Sequence, residues 1–594
     1  MAHLVAAVAL TAAIAGGIVG LGGRLGGRSL GDCAIRGWTV LWWSMALSAQ
    51  LLSPQVAVIV GATGALAGLG LFALGTRRRD LRTLLAGVAA LVAGAPLWLL
   101  PPVFYDTLVY HLGLPWSWLE NGSFAPAVHN LFSHFPLAAS TVYLLPVGLG
   151  VPEAAAGLHW LAFLTALFVV TALARNLGAG RWSWLAALLL LGCWHAVWLG
   201  TVASADHLVV LGVVVALERV TGVSPPTPAD RLTAGLSLGL ACAAKYTGFM
   251  PVLAVLIAAV VVWPLRAVVA SGLVAVAASS FWWVRNLATV GNPVYPLLWR
   301  VLGGTGWTAA DEARWSALVH EGGGGLMAIP HGVIHLVVPP DGLGWWFVIA
   351  LPLTLAALAV GGPQQRQRLA VATFGVVALI AWLVTSQTTR YALPLAAAAA
   401  ALAATGLTAA SVRLRPWLAG ASVIGVLAGM TTLGSFLFGG LGVQRVWLGA
   451  LSPESWRHQV TLDDPLPEYR ACDRLLPADA RILVVAEGRP WGCPRPHHVS
   501  SPYDSQLVQS VVEASADARD AAGRLRRAGW THLFINWGEA TRLGNADYRV
   551  LHFQSSRGEK IWHELLAEFT TPVSRQGTVE VRALVPAPAS RGGP

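Results

Sequence analysis

Charge is scarce in this sequence: only 11% of its 594 residues are Asp, Glu, Lys or Arg, against about 25% in soluble domains. With 55% hydrophobic residues, that scarcity excludes an ordinary soluble protein and leaves a membrane-embedded chain. Lysine is scarcer still. Lys245 and Lys560 are the only two, so 37 of the 39 basic residues are Arg, a bias of composition that carries no functional signal. The five cysteines contain no CxxC pair, which excludes a metal site of that type. Cys33, Cys193 and Cys242 fall in apolar segments and read as small buried hydrophobes. Cys472 and Cys493 could form a disulfide if their domain faces an oxidising compartment. No basic n-region precedes the apolar run 4–21, so it reads as a first span and not as a cleaved signal peptide.

The formal net charge is +10. From Pro453 onward 17 basic residues balance 17 acidic ones, and the membrane half, with 22 basic against 12 acidic, holds the whole excess. That distribution argues against nucleic acid as a partner and for membrane lipids. Apolar runs close to the ~20 residues that cross the hydrocarbon recur at 3–22, 34–52, 55–75, 83–103, 152–174, 183–200, 205–221, 232–247, 249–264, 267–285, 343–361, 369–385, 391–410 and 417–438. The sequence therefore predicts a polytopic α-helical membrane protein of about 14 transmembrane helices, with a small extracytoplasmic α/β domain at 453–585 and a disordered tail at 586–594. Strands at 481–486 and 531–536 flanking a helix at 517–528 define that domain. Sixteen of the 22 basic residues, among them Arg77, Arg78, Arg79 and Arg82, fall in loops of one parity, the expected cytoplasmic side of the membrane. The long loops 104–151 and 286–342 and the C-terminal domain then face outward, where nucleotide sugars and ATP are not available.

Loop 104–151 predicts two interfacial helices, 107–120 and 136–149, with aromatic faces. Loop 286–342 contains four consecutive glycines, 322–325, either a hinge or a plain linker. Asp106, at the outer end of a span, is either a general base or the N-cap of the helix that follows, and one residue can do both. Lys245 interrupts LACAAKYTGFMPVL; it either meets an anion such as a lipid phosphate or snorkels from a helix end. Arg285 (WWVRNLATVGNPVYP) and Arg390 (SQTTRYALP) admit the same two readings. Asp206, beside His207, is a second acid for acceptor positioning, a ligand for a metal such as Mg or Mn, or a cap. Glu120 is the other acid of the first loop. Tyr105, His111, His134 and Tyr391 flank these charges as candidate substrate contacts, and the His spacing, His129 included, matches no closed zinc site.

At YDTLVYHLGLPWSWLENGSF, HNLFSHFPLAASTVY, AKYTGF, RNLATVGNPVYPLL and TTRYALP the chain resembles the C-type glycosyltransferase superfamily, in particular bacterial dolichyl-phosphate-mannose-type and RgtA-like proteins. The resemblance covers roughly residues 83–410. It implies a C-type core at 83–440 behind extra N-terminal helices at 1–82. It also implies an inverting glycosyltransferase of the hexosyl or pentosyl class, moving a sugar from a polyprenyl-phosphate donor to a lipid, glycan or protein acceptor. Asp106 stands where the family keeps its base, and Lys245, Arg285 or Arg390 where it holds phosphate. The sequence departs from the family in two ways. Three spans precede the one that leads into the first loop, and that loop has a single Asp and not an acidic pair, so a second acid must come from Asp206 or Glu120. An O-antigen ligase or polymerase, a lipid or solute transporter, and an envelope scaffold are the competing readings. A transporter would want charges near the midplane and internal repeats, and neither stands out.

Overall fold

The computed structural model describes residues 2–75, 80–222, 225–319, 328–338, 342–546, 548 and 550–585. The 322–325 glycines, Arg77 to Arg79 and the 586–594 tail lie outside the described residues. Every predicted apolar run lies on helix. Among the described residues, seven helices are long and apolar enough to cross a membrane, or eight if one bent pair is a single span. The chain is a multi-pass membrane protein.

Helices α1 (Ala2–Arg24), α2 (Leu30–Leu51) and α3 (Pro54–Gly75) form the N-terminal layer. Glycine makes their contact possible: a Cβ on Gly20 would strike the Gly68 carbonyl, and one on Gly37 the Ile18 carbonyl. In hydrocarbon, where burying apolar surface gives no drive, such close backbone approach supplies the packing. Helix α4 (Asp80–Trp98) leads into the first loop, where Pro101 and Pro102 end any continuation. The loop then carries one π turn (Thr107–His111), α5 (Gly113–Asn121) and α6 (Ala138–Gly148). The predicted helix 107–120 is thus broken, because at Gly113 the chain passes too close to the Leu108 carbonyl for any side chain. The segment predicted at 136–149 is not a surface helix. Residues Ala138 to Val147 are all buried, so α6 is part of the core.

Helix α7 (Glu153–Asn176) crosses next, and the run predicted as one span at 183–200 is two helices, α8 (Trp184–Leu191) and α9 (Trp194–Gly200), bent by 75°. Helix α10 (Asp206–Val220) is apolar all round and buried from Asp206 through Leu217, which puts it at the centre of the bundle. It packs beside α11 (Pro228–Ala244), followed by α12 (Phe249–Ala259) and α13 (Leu265–Val290). The later span Thr389–Ala409 is 83% buried and Pro54–Leu74 only 22%; the first is therefore interior and the second peripheral.

The C-terminal domain is a five-stranded sheet of β1 (Ile482–Val485), β2 (His497–Val499), β3 (His532–Asn536), β4 (Thr570–Gln576) and β5 (Val579–Leu584), ordered β2-β1-β3-β5-β4. The first three strands run parallel and β5 is antiparallel to β3 and β4. Alternation sorts the side chains. Leu483, Val485, Leu533 and Ile535 meet the helices Ala518–Arg527 and Ser556–Glu568 on one face, and Ile482, Val484 and Phe534 meet Tyr469 on the other. Cys472 and Cys493 are both free thiols in that second core, not a disulfide, and burial pushes the Cys472 thiol up to about 12.

The domain docks on the first loop through polar bonds. The Trp116 indole donates to the Cys493 carbonyl at 2.6 Å, and Asn121 and His497 exchange two bonds at 2.8 and 2.9 Å. Asn130 donates to the Val499 carbonyl at 2.9 Å, and the Leu131 N–H to Asp504 at 2.8 Å.

Candidate active site

Four of the predicted charges meet where the first loop, the α9–α10 loop, the α11–α12 break and the start of helix Leu393–Ala409 converge. Asp106 follows the prolines and enters the π turn in helical geometry without capping it. The cap reading therefore falls, and the Asp106 carboxylate is used otherwise. Its Oδ2 accepts from the Tyr110 hydroxyl at 2.6 Å and lies 2.8 Å from Arg390 Nη1. Tyr110 was legible in principle, four residues on, but carried no charge to draw notice.

Asp206 opens α10 and also caps nothing. The N–H of the next residue, His207, donates to His159 Nε2 at 3.0 Å. Asp206 takes the Ser204 hydroxyl at 2.6 Å and the Lys245 ammonium at 3.2 Å. Lys245 is extended (φ −166°, ψ 146°) just past the end of α11. The chain then folds back so tightly that a Cβ on Gly248 would strike the Ala241 carbonyl, which is why the AKYTGF segment breaks a span. Asp206 and Lys245 are only 4% and 7% exposed; a bare charge at such depth would be costly, and the pairing offsets it.

Tyr391 stands between the two pairs. Lys245 lies 5.0 Å from its ring centre and Arg390 5.3 Å. Arg390 is presented by a turn at Thr389–Ala392, whose approach is fixed by the Trp382 indole donating to the Thr388 carbonyl at 2.9 Å. Two hydroxyls lock the loops together: Thr107 donates to the Ala203 carbonyl and Tyr143 to the Ser204 carbonyl, each at 2.6 Å. Beside Tyr391 a shallow groove opens between α12 and the helices Gln365–Val384 and Leu393–Ala409, lined by Thr247, Met250, Trp382 and Pro394. The outer faces nearby, Leu253, Ile257, Val376 and Ile380, are exposed and apolar, as a lipid-facing surface requires.

No protein-family model matches the chain, and no curated protein does. Among solved structures it resembles ArnT from Cupriavidus metallidurans bound to undecaprenyl phosphate, with TM-score 0.56, 15% identity, and 86% of this chain and 99% of that one covered. The apo state of ArnT gives TM-score 0.54 at 14% identity, covering 86% and 100%. The fold is the C-type glycosyltransferase fold.

Within this C-type fold the other candidates fall in different places. His111 is buried, its Nδ1 3.3 Å from the Ser140 hydroxyl and its Nε2 without a hydrogen-bond partner, within electrostatic reach of both acids and both cations. Arg285 has no carboxylate partner among the described residues. Its guanidinium donates to the Ser133 carbonyl, lies over Trp282 and Phe124, and leaves Nε and Nη1 unpartnered. His134 belongs to that neighbourhood, its ring 4.9 Å from that of Tyr295 and tilted by 56°. Tyr105 turns the other way, its hydroxyl donating to Glu539 of the soluble domain at 3.1 Å. Glu120 also faces that domain, near Arg495 and Asp473, so Asp206 is the acid that accompanies Asp106. Both carboxylates are matched by cations, and no three His, Cys, Asp or Glu residues gather as metal ligands among the described residues. This donor set does not fit a divalent ion.

Proposed function

We propose that the chain is an inverting membrane glycosyltransferase that takes a sugar from a polyprenyl-phosphate donor to an extracytoplasmic lipid, glycan or protein acceptor. The observation that carries the reading is the pair of acid–cation couples around Tyr391, on the fold of a protein whose solved structure binds undecaprenyl phosphate. Each cation is held by one carboxylate and lies against the aromatic ring next to the apolar groove. A lipid phosphate entering with its chain in that groove meets Lys245 and Arg390 together. It competes with Asp106 for Arg390: the donor phosphate is a diester carrying one negative charge that the guanidinium can bind through two N–H groups, and the charge that grows on it as the sugar leaves draws Arg390 further from Asp106.

That competition frees the base when the donor is present. The acceptor hydroxyl oxygen attacks the anomeric carbon, the bond from that carbon to the phosphate oxygen breaks, and the phosphate leaves with the electron pair. The hydroxyl proton passes to Asp106. One displacement inverts the anomeric centre. Lys245 and Arg390 neutralise the leaving phosphate, and Asp206 and Ser204 hold Lys245 in place. The site and the soluble domain face the outside of a bacterial inner membrane.

The test is sugar transfer in proteoliposomes from a panel of polyprenyl-phosphate sugars, with Asp106→Asn compared at matched folding. Loss of turnover by about 10²–10⁴-fold is expected for removal of a general base. Undiminished turnover in the variant removes Asp106 from the chemistry.

A further inference from the structure

The soluble domain reaches the site through one residue that nothing so far has used. Its segment from Ser500 to Gln506 lies on the first loop: the Ser501 N–H donates to the His129 carbonyl at 2.9 Å, and Asp504 accepts from the Leu131 N–H at 2.8 Å. Between these two anchors sits Tyr503. Its ring meets Phe132 edge-on at 5.8 Å, and Phe132 is stacked on Tyr110 at 4.9 Å and 21°. Tyr110 is the residue whose hydroxyl holds Asp106. On its other sides Tyr503 meets Trp315 at 4.8 Å and Tyr548 at 5.3 Å. An unbroken run of rings therefore leads from the Asp106 carboxylate to the soluble domain. It is built from the first loop, from helix Ala309–Val319 and from the domain itself. Phe132 is 8% exposed, whereas Trp315, Tyr503 and Tyr548 keep part of their surface open. Burial and the neighbouring Tyr548, Tyr391 and Asp106 push the Tyr503 phenol up, so it stays a neutral ring bearing a hydroxyl.

From this arrangement we infer that Tyr503 and Trp315 form the acceptor subsite, seating a sugar ring of the acceptor against the aromatic wall beside Asp106. The inference rests on the glycosyltransferase reading. The lipid groove lies on the Tyr391 side, between membrane helices, and the wall lies on the side covered by the soluble domain. A base between donor and acceptor needs the acceptor hydroxyl within about 3 Å, so the group on the wall must present a hydroxyl. Tyr503, Trp315 and Tyr548 are uncharged, meet one another at 58° and 68° and not in one plane, and keep part of their surface open. An aromatic face left open in this way takes up the polarised C–H face of a pyranose. A glycan, or a lipid with a sugar headgroup, is then the acceptor class, and the soluble domain completes the site.

The test measures binding without turnover. Full-length protein in nanodiscs is probed by saturation-transfer NMR with a panel of neutral hexoses, N-acetylhexosamines and uronic acids, free and as short oligosaccharides. An unstructured Ser/Thr/Asn-containing peptide is the comparison probe. At least one sugar is expected to receive saturation with wild type and still to receive it with the inactive Asp106→Asn, which separates this inference from the role of the base. Tyr503→Leu removes the ring and keeps an apolar side chain at the position. It should weaken that binding by about tenfold, the range of a single ring contact, while Tyr503→Phe retains it. Thermal melting of both variants at the wild-type temperature establishes that the domain is still docked. Binding of the peptide alone, of no sugar, or of sugar equally to Tyr503→Leu overturns the assignment.

Discussion

The two ends of α10 both carry ion clusters, about 20 Å apart at 1.5 Å per residue, and the acids in them are used differently. At the end remote from Asp206, the Arg219 guanidinium reaches Asp32 at 3.0 Å, Glu218 at 3.0 Å and Asp230 at 3.7 Å. Two of these acids also serve helix ends. Asp32 accepts from the Arg28 N–H at 3.2 Å, and Asp230 forms a capping box with Thr227 at the start of α11. Their presence follows from the unpaired N–H groups of a first helical turn. At the site end neither Asp106 nor Asp206 accepts a capping bond, and their partners are the side chains of Tyr110, Arg390, Ser204 and Lys245. A desolvated carboxylate that serves no backbone group is maintained against its cost for another reason. The difference separates acids that hold the fold from acids available to a ligand.

Breaking one pair at the site end gives the largest effect. Lys245→Met leaves the Asp206 charge buried and uncompensated, which costs about 3–5 kcal/mol, and turnover is lost with the phosphate ligand. The double variant Lys245→Met, Asp206→Asn should regain most of the stability and none of the turnover. At the other end Arg219→Met should lower stability and leave turnover per folded molecule unchanged. Thermal denaturation in detergent and single-turnover rates are the two readouts. Recovery of turnover in the double variant would make the Asp206–Lys245 pair structural, like the Arg219 cluster.

Asp106, Asp206, Lys245 and Arg390 were all legible, because a charge inside or at the end of an apolar run stands out against its neighbours. What they do to one another was not, since the pairing depends on four segments of the chain, with Arg390 lying 284 positions after Asp106. The same logic singled out Arg285 and Glu120, yet charge in an apolar context says nothing of direction: one lies over Trp282 and the other faces Arg495. The helix break at Thr107–His111 was missed because a π turn that brings Gly113 against the Leu108 carbonyl leaves the hydrophobic pattern of the segment unchanged. Strands β1 and β3 were readable as apolar β-branched runs. The short, His-rich β2 and the largely exposed β4 had no such pattern. Tyr503 had no signal at all, nearly four hundred residues from Asp106 in a polar segment.

Acid sharpens the contrast from the side of the soluble domain, which covers the site end. Burial lowers His497 to about 4 and His498 to about 3. In the neutral form His497 donates from Nδ1 to the Arg495 carbonyl and accepts at Nε2 from Ser117 of α5, each at 2.7 Å. Both imidazoles have folded values below the unfolded 6.5, so the stability they contribute is present above about 6.5 and lost as pH falls toward 4 and 3. Asp504 runs the other way. Burial raises it to about 6, and its contribution is present below about 4 and lost as pH rises to about 6. Two imidazoles against one carboxyl leave a net loosening of the docked domain on acidification. Amide exchange, corrected for its intrinsic pH dependence, should lose protection in α5 between pH 6.5 and 4 while the α11 cap at the other end holds. His497→Gln should flatten that loss. A uniform loss at both ends would erase the distinction between a covered end and a bare one.

The smallest effect discriminates most closely, because two single-hydroxyl deletions cost similar stability and differ only in function. Thr227→Ala removes the capping box of α11, worth about 1 kcal/mol. Ser204→Ala removes the 2.6 Å bond to Asp206, also worth about 1 kcal/mol for a buried hydrogen bond. With Ser204 absent, the Asp206 charge is shared with one donor fewer and holds Lys245 more tightly, so the ammonium is less available to an incoming phosphate. The expected result is a few-fold rise in donor KM for Ser204→Ala, and an unchanged donor KM for Thr227→Ala at the same loss of melting temperature. Equal KM values in the two variants would mean that Ser204, like Thr227, only holds its helix in place, and that the ends of α10 differ in partners but not in purpose.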